Sequence, residues 1–445
     1  MKYRTVSILA MLVAGACWAL EPADQAGVKR GEPQRVGNYW EERAECSAPV
    51  REGGRLVLRA DFGSLDVKPG ANDRIECQVR LRAYTSDEAE AKRYFKNYEL
   101  SLRQLESGTY LTGKLLQQHH GHMSLGAEFN ITVPLRFNLD LETKGGEIEV
   151  QKLEGTLQAL TAGGDVRAGD VTGSVRAETA GGDIQLGSVA GPVEARTAGG
   201  SIRVGDVKGD ATVQTSGGEI VAGFVQGSLR AETAGGDLVL RGASGPLEAR
   251  TAGGQIQVGE SGSTVRAQTA GGSIRLQGAR GRVEVRTAGG SIDLLQMRNA
   301  VHAANAAGGI LAQVDADLKK FAASELETTV GDVQVYLPAN LPVTVDAVID
   351  MATGHKILSD FPLNVQKEGE PFVPTKVRAE GALNGGGEVL RIRTVAGNIE
   401  IRKLDPRILE QLQRRQESFW KRWEEHERQR EGNRQERREG HKDVL

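Results

Sequence analysis

Thr-Ala-Gly-Gly returns every 18 residues, at Thr161, Thr179, Thr197, Thr233, Thr251, Thr269 and Thr287. Thr215 opens the variant Thr-Ser-Gly-Gly and Thr143 the variant Thr-Lys-Gly-Gly, so nine copies run without an insertion, and a degraded tenth begins at Asn305. An unbroken period of this kind decides the architecture before composition does. Eighteen residues are too few for a pair of packed helices and suit one coil of a β-solenoid.

The coil from Gly181 to Ala198 shows how the period becomes structure. Gly181-Gly182 marks a tight bend, where a residue without Cβ can take positive φ. Asp183 to Leu186 and Pro192 to Thr197 each alternate polar and apolar, the period of a strand, with a turn around Val189 between them. The inward set is therefore Ile184, Leu186, Val189, Val193, Ala195 and Thr197. One column of such residues runs Ile148, Val166, Ile184, Ile202, Ile220, Leu238, Ile256, Ile274 and Ile292. A single coil cannot bury its apolar edges, but a stack can. Ten coils at the parallel-strand spacing of ~4.8 Å make a rod roughly 48 Å long.

The outward columns carry charge. Arg176, Glu194, Thr212, Arg230, Glu248, Arg266 and Glu284 stand three residues before the threonines, and Glu178, Arg196, Gln214, Glu232, Arg250, Gln268 and Arg286 stand one before. Signs mostly alternate up the stack and across each strand. This predicts a checkerboard that fixes register, since a slipped coil would set like charges together. The competing reading, a charged ligand surface, is weakened because the signs cancel.

The formal net charge of −3 over 445 residues argues against nucleic-acid binding by bulk charge. Glycine is abundant, 57 residues, and aromatics make up only 4%, which suits a thin solenoid better than a globular core. Lys2 and Arg4 followed by apolar Val6 to Ala14 read as a secretory signal with cleavage after Ala19. Ala14-Gly15-Ala16-Cys17 is also a variant of a lipoprotein box, with lipidation at Cys17 the alternative. No later segment is a transmembrane candidate. Export puts Cys46 and Cys77 in an oxidising setting, where they form either a disulfide or two buried thiols.

The reading in order is a signal peptide over 1–19, a loose segment over 20–45, a β region over 46–142, the solenoid over 143–404 and a charged helical tail over 405–445. The β region holds strands around 56–67, 75–83, 110–116 and 128–133, and a short helix over 86–97 capped by Ser86. Late coils are expected at Thr328 to Val335 and, last, at Thr394 to Ile401. Asp405-Pro406 signals a helix start, and Ile408, Leu409, Leu412, Phe419, Trp420 and Trp423 are the tail's large apolar residues. Such a helix either covers the end of the solenoid or binds a partner or membrane surface.

Asn130-Ile131-Thr132-Val133-Pro134, leading to Leu139-Asp140-Leu141-Glu142-Thr143-Lys144-Gly145-Gly146-Glu147-Ile148, resembles the signature of the bacterial putative-adhesin β-solenoid family, long catalogued as a domain of unknown function. The Val335-Tyr336-Leu337-Pro338 exit and the Gly397-Asn398-Ile399 coil are similar to it too, so the resemblance spans roughly residues 50–404. It implies a cell-envelope or secreted solenoid and supplies no catalytic residues.

Polysaccharide-cleaving solenoids need carboxylates or a basic residue in a groove walled by long loops, and uninterrupted coils build no such walls. Phe224 is the only aromatic within the regular coils. The column Asp165, Asp183, Ser201, Glu219, Asp237, Gln255, Ser273, Ser291 loses its carboxylates, which argues against structural calcium. The inward threonines form a hydroxyl ladder in preference to an ice-binding face. His119, His120 and His122 make a weak metal cluster, better read as a solvated loop.

These readings assign no catalytic residue, cofactor or metal. They point to an all-β parallel solenoid of about ten coils, acting as an adhesin-like interaction scaffold. The partner is an envelope protein or surface glycan, or a second copy of the chain. The rival is a periplasmic or lipid-anchored sensor or assembly protein working through the tail, and the remotest alternative a carbohydrate-active enzyme. On the first strand's outward column, Val221 and Val239 interrupt Arg167, Gln185, Arg203, Gln257 and Arg275. With Phe224 they are expected to form an apolar patch that meets a partner, a second copy, or Trp420 and Trp423, unless the change is mere surface variation.

Overall fold

The computed structural model describes residues 27–70, 73–117, 125–315, 321–370 and 373–405, together with residues 407, 410, 411, 414, 421, 425 and 429 of the tail. The chain winds as a parallel β-solenoid with two long sheets. Each regular coil gives one short strand to the first sheet, such as Ile184–Leu186, and one to the second, such as Val193–Thr197. Each strand pairs in parallel with its equivalent 18 residues on, Ile184 with Ile202 and Val193 with Ala211. The inward columns are sealed: Ile184, Val189, Ala195 and Ile220 are at most 1% exposed. Each fully buried Val, Leu or Ile contributes roughly 1.5–3 kcal/mol.

Two backbone-directed ladders complete the corner after each second-sheet strand. Thr179 Oγ1 donates to the carbonyl of Gly164 in the preceding coil at 2.8 Å and accepts the N–H of Gly182 in its own at 3.2 Å. The same bond to the preceding coil recurs at Thr161, Thr197, Thr215, Thr233, Thr251, Thr269 and Thr287. Asn305 replaces the hydroxyl with its Nδ2, which donates to Gly290 O at 2.8 Å. In the inner repeats, from Gly164 to Gly272, the second glycine is required by stacking and not by positive φ, whereas Gly146 and Gly290 at the two ends do take positive φ, 129° and 99°. A Cβ on Gly182 would sit 2.1 Å from Gly164 O, and neither Gly181 nor Gly182 has positive φ.

The order of coils in space departs from the order in sequence at both ends. Strands Gly108–Leu115 and Leu125–Pro134 form the outermost N-terminal coil, stacked on Arg55–Ala60 and Ser64–Gly70, which stack in turn on Asn138–Thr143 and Ile148–Val150. At the other end Val389–Ala396 and Ile399–Lys403 slot between the coil of Ser324–Val330 and Val333–Leu337 and the coil of Val343–Ile349 and Ile357–Ser359. The coil expected to come last, from Thr394, is therefore internal.

Antiparallel strands close the stack. Tyr98–Leu105 covers one N-terminal edge. Arg74–Ala83 and then Tyr39–Pro49 cover the other. At the C-terminal end Val373–Leu383 and Asn364–Glu370 do the same. The exposed last strand carries Lys367, Glu368 and Glu370, which discourage edge pairing.

Three local expectations change. Residues 27–45 are not loose, since Gly27–Arg30, Gln34–Val36 and Tyr39–Pro49 are strands. The helix runs Glu88–Lys96, and Asp87, not Ser86, caps it by accepting the Ala89 N–H at 2.8 Å. Strand Tyr98–Leu105 falls where no element was expected. The signal peptide and lipobox reading over 1–19 lies outside the described residues.

Candidate interaction surfaces

The outer face of the second sheet is a lattice of paired charges. Arg176 bridges Glu178 at 2.5 Å and Glu194 at 2.9 Å, and Arg196 bridges Glu178 at 3.8 Å and also Glu194. Gln214 carries the chain onward, accepting from Arg196 Nε at 3.0 Å and donating to Glu232 at 2.9 Å. Arg230, Glu248 and Arg250 continue it, and Arg266, Glu284 and Arg286 form its far end. Every charge in this run has an opposite neighbour, so the lattice fixes register and presents no single-sign field.

The first sheet's outer face does not carry the expected apolar patch. Val221 and Val239 are 9% and 4% exposed, so they are covered positions. They stand in register between Arg203, whose side chain is 12% exposed, and Gln257, whose Oε1 is sealed from solvent without a partner. The strand is closely packed there, and the outward position does not mean an open one. Phe224 alone remains exposed, at 37%, with its N–H donating to Asp206 Oδ1 at 2.8 Å. Trp420 and Trp423 lie outside the described residues.

Uninterrupted coils nevertheless leave shallow grooves, contrary to the sequence expectation. One of about 560 Å³ follows the first sheet past Glu149, Arg167, Gln185, Arg203 and Val221. Another of about 560 Å³ follows the second past Arg55, Asp140, Gln158, Arg176 and Glu194. Both are lined by strand positions and by short-turn residues, Gly169 and Gly187 on the first and Thr156 and Ser174 on the second. Asp140 at the second is buried and bridged to Arg55 at 2.5 Å and Arg59 at 2.8 Å.

The aspartates of the Asp165 column form a third ladder. Asp165 Oδ1 accepts the N–H of Asp183, and Asp183 Oδ1 that of Ser201, each at 2.8 Å. Asp237 accepts Gln255 N–H at 2.7 Å. A second such column includes Asp170 and Asp206, which accept from the N–H groups of Ser188 and Phe224, and in a third column Asp210 accepts from Ser228. His119, His120 and His122 lie outside the described residues, and among the described residues no group of three His, Cys, Asp or Glu could hold a metal.

In the N-terminal cap, Cys46 and Cys77 face each other across antiparallel strands, Cα atoms 4.9 Å apart, and are joined as a disulfide. Arg30 ties the first strand to the helix exit, donating to Phe95 O at 2.7 Å and Tyr98 O at 2.8 Å and pairing with Glu42. Arg43 and Arg82 hold the buried Glu41 carboxyl below its ordinary range against the opposing push of burial.

Sequence reasoning missed Val330 and Met351, two large apolar side chains left open on one corner near the C-terminal end. Their signal was a break in the glycine column, where Gly289 gives way to Ala307 and then Val330.

No helix among the described residues is long and apolar enough to cross a membrane. No protein-family profile and no curated protein matches the chain. Among solved structures, a putative cell adhesion protein from Clostridium sporogenes aligns over 84% of this chain and 100% of its own, at 12% identity and a TM-score of 0.16. A putative adhesin from Bacteroides fragilis aligns over 81% of this chain and 97% of its own, at 11% identity and a TM-score of 0.18. Likenesses at these scores carry no argument about this chain, so its resemblance to the putative-adhesin family rests on the residues quoted above.

Proposed function

We infer that the chain is an exported or cell-envelope scaffold that works by binding, in the manner of an adhesin, through the long faces of its rod. The observation that carries this reading is the uninterrupted 18-residue register on both sheets. It leaves two grooved faces in which the same polar position recurs in successive coils, Gln185 beside Arg203 on one and Gln158 beside Arg176 on the other. A repeating surface of this kind suits an elongated or repetitive partner, an envelope protein or a surface glycan.

The test is capture of the purified chain by envelope fractions, compared with Gln185→Glu and Gln158→Glu. Each substitution adds one charge to one groove and leaves the core untouched. Loss of capture in one folded variant identifies the binding face. Undiminished capture in both, or turnover of envelope glycan by the unmodified chain, would overturn the reading.

A further inference from the structure

The first glycine of each repeat, from Gly145 to Gly289, lines one open corner of the rod. Past Gly289 the same column continues in register through Ala307, Val330 and Ala396. Met351 follows, its N–H donating to Val395 O at 2.8 Å. Val330 is 55% exposed and Met351 62%. Ala306 and Ala307 are also exposed, and Val395 is half-buried. Four neighbouring rungs, about 14 Å at ~4.8 Å each, thus present apolar side chains where nine earlier ones present glycine.

The N-terminal end shows how this fold treats such a residue. Phe62 holds the position equivalent to Gly145, because Ala60 pairs with Thr143 and Thr143 Oγ1 donates to Gly63 O. Phe62 is half-buried against the Tyr98 ring, centroids 4.8 Å apart, and Tyr98 comes from the antiparallel cap. At the C-terminal end Val330 and Met351 have the same place in the column but remain open among the described residues.

We propose that the chain's own tail supplies the missing cover, a helix over 408–423 laying its apolar stripe on Val330, Met351 and Val395. At ~100° per residue, Ile408, Leu409, Leu412, Phe419, Trp420 and Trp423 fall within about 120° of one another on a helical wheel. Glu410, Gln411, Arg414, Lys421 and Glu425 lie on the opposite side of that wheel and are helical and exposed.

The tail also starts in the right place. Strand Ile399–Lys403 begins at the patch corner, on the rung that carries Ala396. It takes the chain about 17 Å away at ~3.3 Å per residue. A helix returning from 408 to 420 covers about 18 Å at ~1.5 Å per residue, which brings the tryptophans back over the corner. Tethering favours this occupant over a second copy, since a short connection gives an effective concentration on the order of millimolar.

Hydrogen exchange of the full chain tests the contact. Amides over 408–423 should exchange about tenfold faster in Val330→Lys/Met351→Lys than in the unmodified chain, with sheet amides unchanged. Val365→Lys, at an exposed valine elsewhere, should leave the tail as it was. Equal tail exchange in all three overturns the proposal. So does protection that rises with protein concentration, which assigns the patch to a second copy, or protection that requires anionic vesicles, which assigns the stripe to a membrane surface. A second arm leaves the rod untouched: in a Val330→Cys chain, maleimide labelling at position 330 should be about tenfold faster when Trp420→Ser and Trp423→Ser are added. Equal labelling overturns the proposal from the tail's side.

Discussion

Thr394 Oγ1 donates to the carbonyl of Gly331 at 2.9 Å, a bond spanning 63 residues of sequence. In the regular coils the same bond spans 15 residues, as from Thr215 to Gly200 at 2.8 Å. The ladder therefore follows spatial order and passes through a coil inserted from a distant part of the chain. Thr161, Thr179, Thr197, Thr215, Thr233, Thr251 and Thr269 are buried and satisfied on both sides, accepting a glycine N–H in their own coil and donating to the coil before. Thr215→Val keeps the shape and leaves Gly200 O and Gly218 N–H without their partner. It should cost about 1–3 kcal/mol in urea unfolding. Thr212→Val, on the outer face of the same strand, should change stability by less than about 0.5 kcal/mol. Equal costs would show that the hydroxyl ladder does not stabilise the corner.

The two glycines of one repeat should respond oppositely to an added methyl group. A Cβ on Gly164 would lie 2.1 Å from Gly146 O, whereas a Cβ on Gly163 meets nothing within 4 Å. Gly164→Ala must push two coils apart and should cost several kcal/mol, at or above the ~1–3 kcal/mol of ordinary overpacking. Gly163→Ala should be neutral or slightly stabilising, because alanine restricts the unfolded chain. Thermal unfolding of the two variants side by side checks this, and matching melting temperatures would refute the stacking role.

The period made the regular coils legible residue by residue. Ile184 and Thr197 fall inward, and Arg176 meets Glu194, because an alternation of two and a repeat of 18 leave little freedom. The ends were not legible in this way. Pairing order between non-neighbouring coils, such as Ser324–Val330 with Val389–Ala396, is set by long-range contacts that no local pattern encodes. Val221 and Val239 were assigned correctly to the outer face, but burial there depends on the neighbouring rungs, which alternation does not report. The Asp ladder was hidden because Asp165 and Asp237 resemble ligands until the receiving N–H one coil later is seen.

Cys46 and Cys77 join two antiparallel strands of the N-terminal cap, 31 residues apart in sequence. The unreduced chain should show no titratable thiol at either position, even after denaturation. Cys46→Ala/Cys77→Ala should lose about 2–4 kcal/mol. The loss should fall first on strands 39–49 and 74–83, where hydrogen exchange should accelerate, while the regular coils keep their protection. Two free thiols in the unreduced, denatured chain would contradict the bond.

Acid should loosen the rod through its aspartates. The N–H and hydroxyl of Ser228 both donate to Asp210 and hold its carboxyl below the ordinary value of 3.8. The Lys403 N–H does the same for Asp360, aided by Arg402 and opposed by burial. Burial pushes Asp61 up, but the Lys144 ammonium and the Leu115 N–H outweigh it and the net shift is downward. A carboxylate whose folded pKa is depressed binds fewer protons than it does unfolded. Its stabilisation is fully present above the unfolded value and is lost as pH falls through the folded one. The melting temperature should therefore be level above about pH 5 and fall below about pH 4. Asp210→Asn isolates one rung: asparagine keeps the Oδ1 acceptor for the Ser228 N–H and removes the titration. The unmodified chain should melt above Asp210→Asn at neutral pH, and the gap should close as Asp210 is protonated. A gap that stays constant or widens in acid would show that the charge on this rung contributes nothing.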